Sequence, residues 1–345
     1  MKKKIHLGIT VLIILLSPLA AFSQSDIGDL FQSGPADAEK LIGAYINPLF
    51  RGLGTGLNSG WTNTAKTKKP LRFDLRITGT AAFVPNSDKA YDVKSLGLEN
   101  IRPVDPNKSI GPTAFGADTE GALMEIYNNS FPDPDPTTFR LPKGTGLNFV
   151  PSPQVQLTIG LPKHIDVSLR LVPDVKIEDG TLNLFGAGAK FELLPILMGK
   201  KYKVTPVDIA LAFGYTSLNF NLPLDLNNQT TNDQVIAVKM QGYSAEAIIS
   251  KKLLFFTPFA SIGIHSSSSK LNATGTYNFD VAVTPLTPTG KKTYVDPISL
   301  NQNDIKGIKA TLGFQMNLAF FRIYASYTQA QYSYANAGIG FGIGK

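Results

Sequence analysis

Between Ile308 and Leu318 every even-numbered residue is apolar, and the odd positions hold Lys309, Thr311, Gly313, Gln315 and Asn317. A tight turn is predicted near Ala319 and Phe320. Beyond it the phase swaps, with Phe321, Ile323, Ala325 and Tyr327 opposing Arg322, Tyr324, Ser326 and Thr328. A last run sets Ile339, Phe341 and Ile343 against Gly338, Gly340, Gly342 and Gly344. Alternation with period two places each set on one face of a strand. The pattern therefore predicts three strands joined by short turns.

The same alternation recurs upstream. Over 71–84, Leu71, Phe73, Leu75 and Ile77 face one way and Arg72, Asp74, Arg76 and Thr78 the other. Further strands are predicted from 153, from 165, at 181–193, 204–220 and 235–250, and from about 254. The fold class that follows is all-β: a transmembrane antiparallel barrel of about ten strands, an even number as bacterial barrels require, or roughly 12–14 if the long links hide hairpins. With both barrel ends periplasmic, the long links 85–152, 221–234 and 276–304 fall outside. The links 161–164, 194–203, 251–253 and 319–320 fall inside. Short periplasmic turns and longer outer loops are the usual asymmetry. Within the first long link, residues 118–128 are predicted to form a short helix.

A helix is predicted ahead of the strands, over 36–50. Pro35 suits its first turn, and Leu41, Ile42, Tyr45, Ile46, Leu49 and Phe50 recur at the spacing of one helical face. Pro48 should kink or end it, and Gly52, Gly54 and Gly56 should continue as a flexible or closely packed segment to Trp61. Such a helix must bury its stripe, either in the lumen as a plug or beneath the barrel as a periplasmic cap. Repeated glycine on one strand face marks close approach by another backbone. The expectation is therefore a plug whose stripe packs on Gly338, Gly340 and Gly342.

Composition agrees with a chain that meets both lipid and water. Charged residues are 17% and mean hydropathy is +0.01, yet after Leu19 no apolar run approaches the roughly 20 residues of a membrane helix. Residues 1–24 have the form of a secretory signal: Lys2–Lys4, the apolar run Ile9–Leu16, and small residues Ala21 and Ser23. The predicted organisation is a signal at 1–24, a helix and glycine-rich plug or cap at 25–66, and an outer-membrane barrel at 67–345. No cysteine is present, which removes disulfides, lipid-modified thiols and thiolate metal sites. Of the net charge of +7, three belong to Lys2–Lys4 and leave +4, and no basic helix provides a nucleic-acid footprint.

Candidate chemistry is sparse, and no catalytic residue, cofactor or metal site is assigned. His164 falls in a turn. His265 faces inward beside Ser266–Ser269, but no carboxylate is evident to orient it, as nucleophilic catalysis needs. Asp133 and Asp135 lack the rest of a calcium loop, and the glycines at 52, 54 and 56 lack the strand-to-helix unit of a nucleotide site. The inward charges carry more information: Arg72, Asp74, Arg76, Asp166, Arg170, Lys190, Glu192, Asp208, Glu246 and Arg322. They line the lumen either as a pore wall or as a salt-bridge network in a filled barrel. Their mixed signs do not build the single-sign ring of a strongly selective channel.

Several short motifs resemble an uncharacterised family of outer-membrane barrels from Bacteroidota: Ala38-Glu39-Lys40 with Tyr45 and Pro48, Gly56-Leu57-Asn58, and Gly60-Trp61-Thr62-Asn63-Thr64-Ala65-Lys66. Pro153-Gln154, Gly160-Leu161-Pro162-Lys163 and Arg170 with Pro173 add to these. The resemblance implies fold and outer-membrane location and lends no activity. A helix ahead of a barrel is also similar in architecture to the long-chain fatty-acid transporter family. The leading expectation is passive transport of small or hydrophobic solutes, with outer-membrane lipid as the surrounding partner. A structural or adhesin-like barrel acting through 85–152 and 276–304 is the alternative, and an outer-membrane hydrolase comes third.

Overall fold

Ten antiparallel strands close into a barrel in the computed structural model, which describes residues 34–127, 138–177, 179–224, 233–281, 290–318 and 321–342. In chain order they are β1 (Phe73–Phe83), β2 (Phe149–Leu161), β3 (Ile165–Ile177), β4 (Gly180–Glu192) and β5 (Asp208–Pro223). β6 (Val235–Ser250), β7 (Phe256–Thr274), β8 (Ile298–Leu318), β9 (Phe321–Gln329) and β10 (Tyr334–Gly342) complete the ring. Each strand pairs with its predecessor, and β10 returns to β1 with Arg76 opposite Gly340. The predicted signal, Asp133 and Asp135, the turn at Ala319 and Phe320, and Gly344 lie outside the described residues.

At the end read as periplasmic, β2 and β3 are joined by a tight hairpin in which Lys163 and His164 have φ of 64° and 61°. The loop between the paired Leu161 and Ile165 has three residues, and left-handed backbone at two of them turns the chain with the right-handed twist of the flanking strands. The link after β4 forms a short helix, Leu193–Met198, and a 3₁₀ segment, Gly199–Val204. Among the described residues, the outer link after β1 adds no barrel strand. It folds into two small sheets, one pairing Ala90–Asp92 with Ile110–Pro112, the other joining Ile101–Pro103, Leu123–Ile126 and Thr138–Arg140. The short helix expected at 118–128 is therefore replaced by the strand Leu123–Ile126, because Met124 is drawn into the core by its neighbours in that sheet. A separate hairpin, Thr276–Val281 with Gly290–Val295, rises between β7 and β8.

The alternation changes sense part-way up the strands. On β5, Leu211, Phe213 and Tyr215 face outward, and above them Ser217, Asn219 and Asn221 do. Inward, Ala212, Gly214 and Thr216 give way to Leu218 and Phe220, both buried. β6 repeats this: Tyr243 points outward, but beyond it Gln241 and Lys239 do, while Met240 and Val238 turn in. The lower half thus has an apolar outside, and the upper half has the polar outside and apolar inside of a water-soluble barrel. β8 has 21 residues, against the roughly 9–11 that cross a membrane, so the tall strands stand well clear of it. Tyr215 and Tyr243 meet at the boundary with ring centroids 4.9 Å apart, where membrane barrels place aromatic girdles.

The helix α1, Pro35–Leu57, runs down through the upper half and contacts β1, β2, β6, β7 and β8. Leu41, Tyr45, Ile46, Leu49 and Phe50 are buried in one cluster with Phe115, Met124 and Phe139 of the outer link and Leu218, Val238, Met240 and Leu271 of the wall. Burying five such side chains stabilises by about 1.5–3 kcal/mol each before ordering entropy is charged against it. Ile42 is partly buried against the same cluster. Helix α1 differs from the expected 36–50 by continuing through Pro48 to Leu57. The lost proline hydrogen bond is outweighed by enclosure on all sides, and the glycines beyond Pro48 are where helix and wall come closest.

Candidate functional site: the filled lumen and its outer mouth

Three glycines let α1 pass between the walls of a narrow barrel. A Cβ at Gly52 or Gly56 would overlap Val150 or Ser152 of β2, and one at Gly54 would overlap Ser267 of β7. Gly52 and Gly56 are four residues apart and share a helical face, with Gly54 on the opposite side. Below the helix, residues 58–69 descend in extended form to the lower rim. There Leu71 N–H donates to the Gly160 carbonyl at 2.8 Å.

The inward cations hold this segment by its backbone. Arg170 donates to the carbonyls of Leu57 at 3.0 Å and Ser59 at 2.7 Å, and its guanidinium lies 3.7 Å from the centre of the Trp61 ring. Arg76 donates to Trp61 O at 2.7 Å, and Lys190 to the carbonyls of Thr64 and Lys66 at 3.0 and 2.8 Å. The anions accept from donors of the same segment. Glu246 accepts from Thr62 Oγ1 at 2.6 Å, Glu192 from Lys66 Nζ at 2.6 Å, and Asp166 from Lys68 N–H at 2.8 Å. Lys190 pairs with Asp166 at 3.0 Å, Arg322 pairs with Asp74, and Asp208 lies 3.2 Å from Lys66 Nζ. Nine of the ten expected lumen charges therefore sit on the inner wall, as Asp74, Arg76, Asp166, Arg170, Lys190, Glu192, Asp208, Glu246 and Arg322. Arg72 is the exception: it is exposed in the turn before β1, where Leu71 at φ 63° breaks the alternation.

Lys309, overlooked among the charges although it sits on the polar phase of β8, is 3.2 Å from Glu246 and 3% exposed.

One inner-wall residue from each strand gauges the closure: Thr78, Gln156, Arg170, Lys190, Thr216, Ser244, His265, Lys309, Tyr324 and Asn336. None is more than 6% exposed. Leu57 at the end of α1 and Ser59, Trp61 and Ala65 of the threading segment are equally buried.

The glycine face of β10 needs correction. Gly338, Gly340 and Gly342 lie on the inner wall, but side chains from the neighbouring strands cover them: Thr78 at the first, and Asp74, Arg76 and Arg322 at the others. Helix α1 does not use this wall. The glycines that admit the threading segment are Gly188 and Gly214, where a Cβ would overlap the Trp61 indole, and Gly242, which faces Asn58.

His265 is buried on the inner wall, and Lys309 is the charged group beside it. Asp304, on β8, accepts from Ser269 Oγ at 2.7 Å. Among the described residues, both ring nitrogens of His265, Ser267 Oγ and the second oxygen of Asp304 have no hydrogen-bond partner. His164 is on the lower rim, with Nδ1 3.7 Å from Glu192 and its ring edge-on to Tyr202. Among the described residues no group of three or more His, Asp or Glu side chains is placed to hold a metal.

Above the helix the outer link forms a lid. Asp37 accepts the N–H groups of Glu99 and Asn100, and Arg51 pairs with Asp88 at 2.8 Å. Burial pushes the Tyr45 phenol up to about 12, so it stays a neutral donor to the Lys143 carbonyl at 3.0 Å. Between the helix, the lid and β8 a cleft of about 490 Å³ is lined by Glu39, Lys40, Asn47, Asp88, Tyr91 and Gln302, over a floor of Gly43 and Ala44.

A family model described as a family of unknown function, DUF6588, matches residues 1–343. No curated protein matches the chain. Among solved structures the chain is similar to the outer membrane protease OmpT from Escherichia coli, at 9% identity over 81% of this chain and 100% of that one, with a TM-score of 0.32. It is similar to Ail, the attachment invasion locus protein of Yersinia pestis, at 7% identity over 80% and 100%, with a TM-score of 0.26. It is also similar to the toluene transporter TodX from Pseudomonas putida, at 9% identity over 80% and 68%, with a TM-score of 0.28. Likeness at this level carries no activity across.

Proposed function

Because the chain belongs to the family of unknown function DUF6588, whose description supplies no activity, we propose a function from the geometry alone. The protein is an outer-membrane barrel, exported by its 1–24 signal, that recognises ligands at its outer face while its own N-terminal segment closes the lumen. The carrying observation is the ring of ten buried inner-wall residues, one per strand, around a segment whose carbonyls are held by Arg76, Arg170 and Lys190. A passage needs a wet wall, whereas these cations are already committed to backbone partners. The outer cleft, with both charge signs and amide groups over a small-residue floor, suits a neutral or zwitterionic polar solute. No catalytic step belongs to this reading, since among the described residues neither ring nitrogen of His265 has the hydrogen-bond partner that would orient it as a base.

Recordings in planar bilayers test the closure. The wild-type protein should insert and stay silent. A steady, reproducible conductance from inserted wild-type barrels would overturn the reading.

Gated passage of small or hydrophobic solutes is the second reading, and one observation favours it. The unpaired groups of His265, Ser267 and Asp304 lie along the β7–β8 wall that Gly54 of α1 touches. Buried polar groups without partners weaken a contact, so this is where the helix would part from the wall.

A further inference from the structure

The outside of the barrel carries an apolar groove directly below a group of lysines. The groove, of about 780 Å³, crosses β3 to β8 just under the level where the outer surface turns polar. Its floor is low because Ala187 and Ala189 point outward on one side of Phe213, and Ala245 points outward between Phe213 and Ile264. A second recess of about 380 Å³ lies above it on β6, β7 and β8, and Lys239 and Lys270 line it. Lys306 edges the lower groove at the junction, opposite Ser266.

Lys239 and Lys270 are direct register partners on adjacent strands, and both are exposed. Like charges placed opposite each other destabilise a sheet. From the level of Tyr243 upward, the outward positions of β6, β7 and β8 hold these three lysines, with Lys306 in the Tyr243 row and Lys239 and Lys270 above it, and no carboxylate. None of the three has an ion pair among the described residues. Lys239 lies four residues beyond Tyr243 on β6, roughly 10 Å above the aromatic level for a tilted strand. That is the depth of a sugar-phosphate headgroup, with acyl chains reaching down into the groove.

We propose that this column binds a phosphorylated glycolipid of the outer leaflet, its acyl chains on Ala187, Ala189 and Ala245 and its phosphate between Lys239, Lys270 and Lys306. The anion relieves the repulsion of the lysine pair, and the groove selects a lipid whose chains lie side by side. The proposal rests on the outer-membrane reading above.

Purified, folded barrel in neutral detergent is titrated with lipid A, with dephosphorylated lipid A and with phosphatidylethanolamine, and bound lipid is counted by native mass spectrometry. Wild type should prefer lipid A. The variant Lys239→Gln/Lys270→Gln/Lys306→Gln should lose that preference by about a hundredfold, at roughly fivefold per lysine near an anionic lipid. Lys251→Gln/Lys252→Gln on the opposite rim should keep it. Ala245→Trp, which fills the groove, should weaken lipid A and its dephosphorylated form alike. A second measurement guards against a folding artefact. Without anionic lipid, Lys239→Gln should raise the melting temperature by relieving the pair, and with lipid A it should lower it relative to wild type. Equal binding of the phosphorylated and dephosphorylated lipids by wild type would overturn the proposal, as would equal binding of lipid A by wild type and the triple variant. Fractionation of the wild type away from outer membranes would instead overturn the reading on which it rests.

Discussion

The indole of Trp61 lies against the backbone of Gly214 on β5, so close that a Cβ there would overlap the ring. Gly188 of β4 bounds the same ring, and Arg170 caps its face at 3.7 Å. The middle of the lumen is thus built around one side chain from the threading segment. Gly214→Val should expel the indole and destabilise the barrel by about 1–3 kcal/mol, as overpacking does. Urea unfolding in detergent, followed by the heat-dependent gel shift, measures this. An unchanged midpoint would show that Trp61 is not seated there.

Arg170→Met tests the same centre from the polar side. The substitution keeps most of the side-chain volume but leaves the carbonyls of Leu57 and Ser59 buried without their donor. Each orphaned group costs about 1–3 kcal/mol. The folded variant should therefore release residues 34–69 to protease at lower denaturant than wild type does.

The two faces of β8 should respond oppositely to charge. Leu312 is 70% exposed on the outer surface, while Gln315 points inward and bonds Asn317 at 2.9 Å. An arginine on the lipid face at mid-membrane costs about 2–4 kcal/mol, and far less in a lumen. Leu312→Arg should impair insertion into liposomes more than Gln315→Arg. Equal insertion yields would show that the faces are exchanged.

A disulfide can locate the helix. The Cβ of residue 54 and that of Asp304 stand 3.7 Å apart, near the mean for a disulfide. In a Ser267→Gly background that clears the intervening side chain, Gly54→Cys with Asp304→Cys should crosslink fully in this cysteine-free protein. Failure to crosslink in inserted protein would place the helix elsewhere. If reduction of the crosslinked barrel switches on conductance in bilayers, gated passage replaces closure.

The direction of α1 predicts an accessible site on the cell surface. Its first turn is tied to the outer link through Asp37, and Glu39 accepts from Ser299 N–H at the outer end of β8 at 3.4 Å. Ala36 is exposed there. A cysteine at Ala36 should react with a membrane-impermeant maleimide on intact cells. Labelling only after the outer membrane is opened would reverse the orientation of the barrel.

Strand number, nine of the ten expected inward charges and the existence of the helix were legible in the sequence, because period-two and period-3.6 patterns depend only on local geometry; Arg72 fell out of phase where Leu71 takes φ 63°. The reversal of polarity on β5 and β6 was legible too, in the step from Phe213 and Tyr215 to Asn219 and Asn221 on one phase. It passes unnoticed unless a strand is expected to leave the membrane. Other features were decided only by tertiary packing. Glycines at 52, 54, 56, 338, 340 and 342 look alike as sequence. Which of them lie where helix and wall pack together depends on the barrel diameter and on where neighbouring arginines fall. Arg76 and Arg322 reach across to fill the space over β10, whereas β4 and β5 present small residues at the level of Trp61. The helix runs on past Pro48 for the same reason: propensity would end it, but the walls of the lumen leave its backbone no better partner than itself.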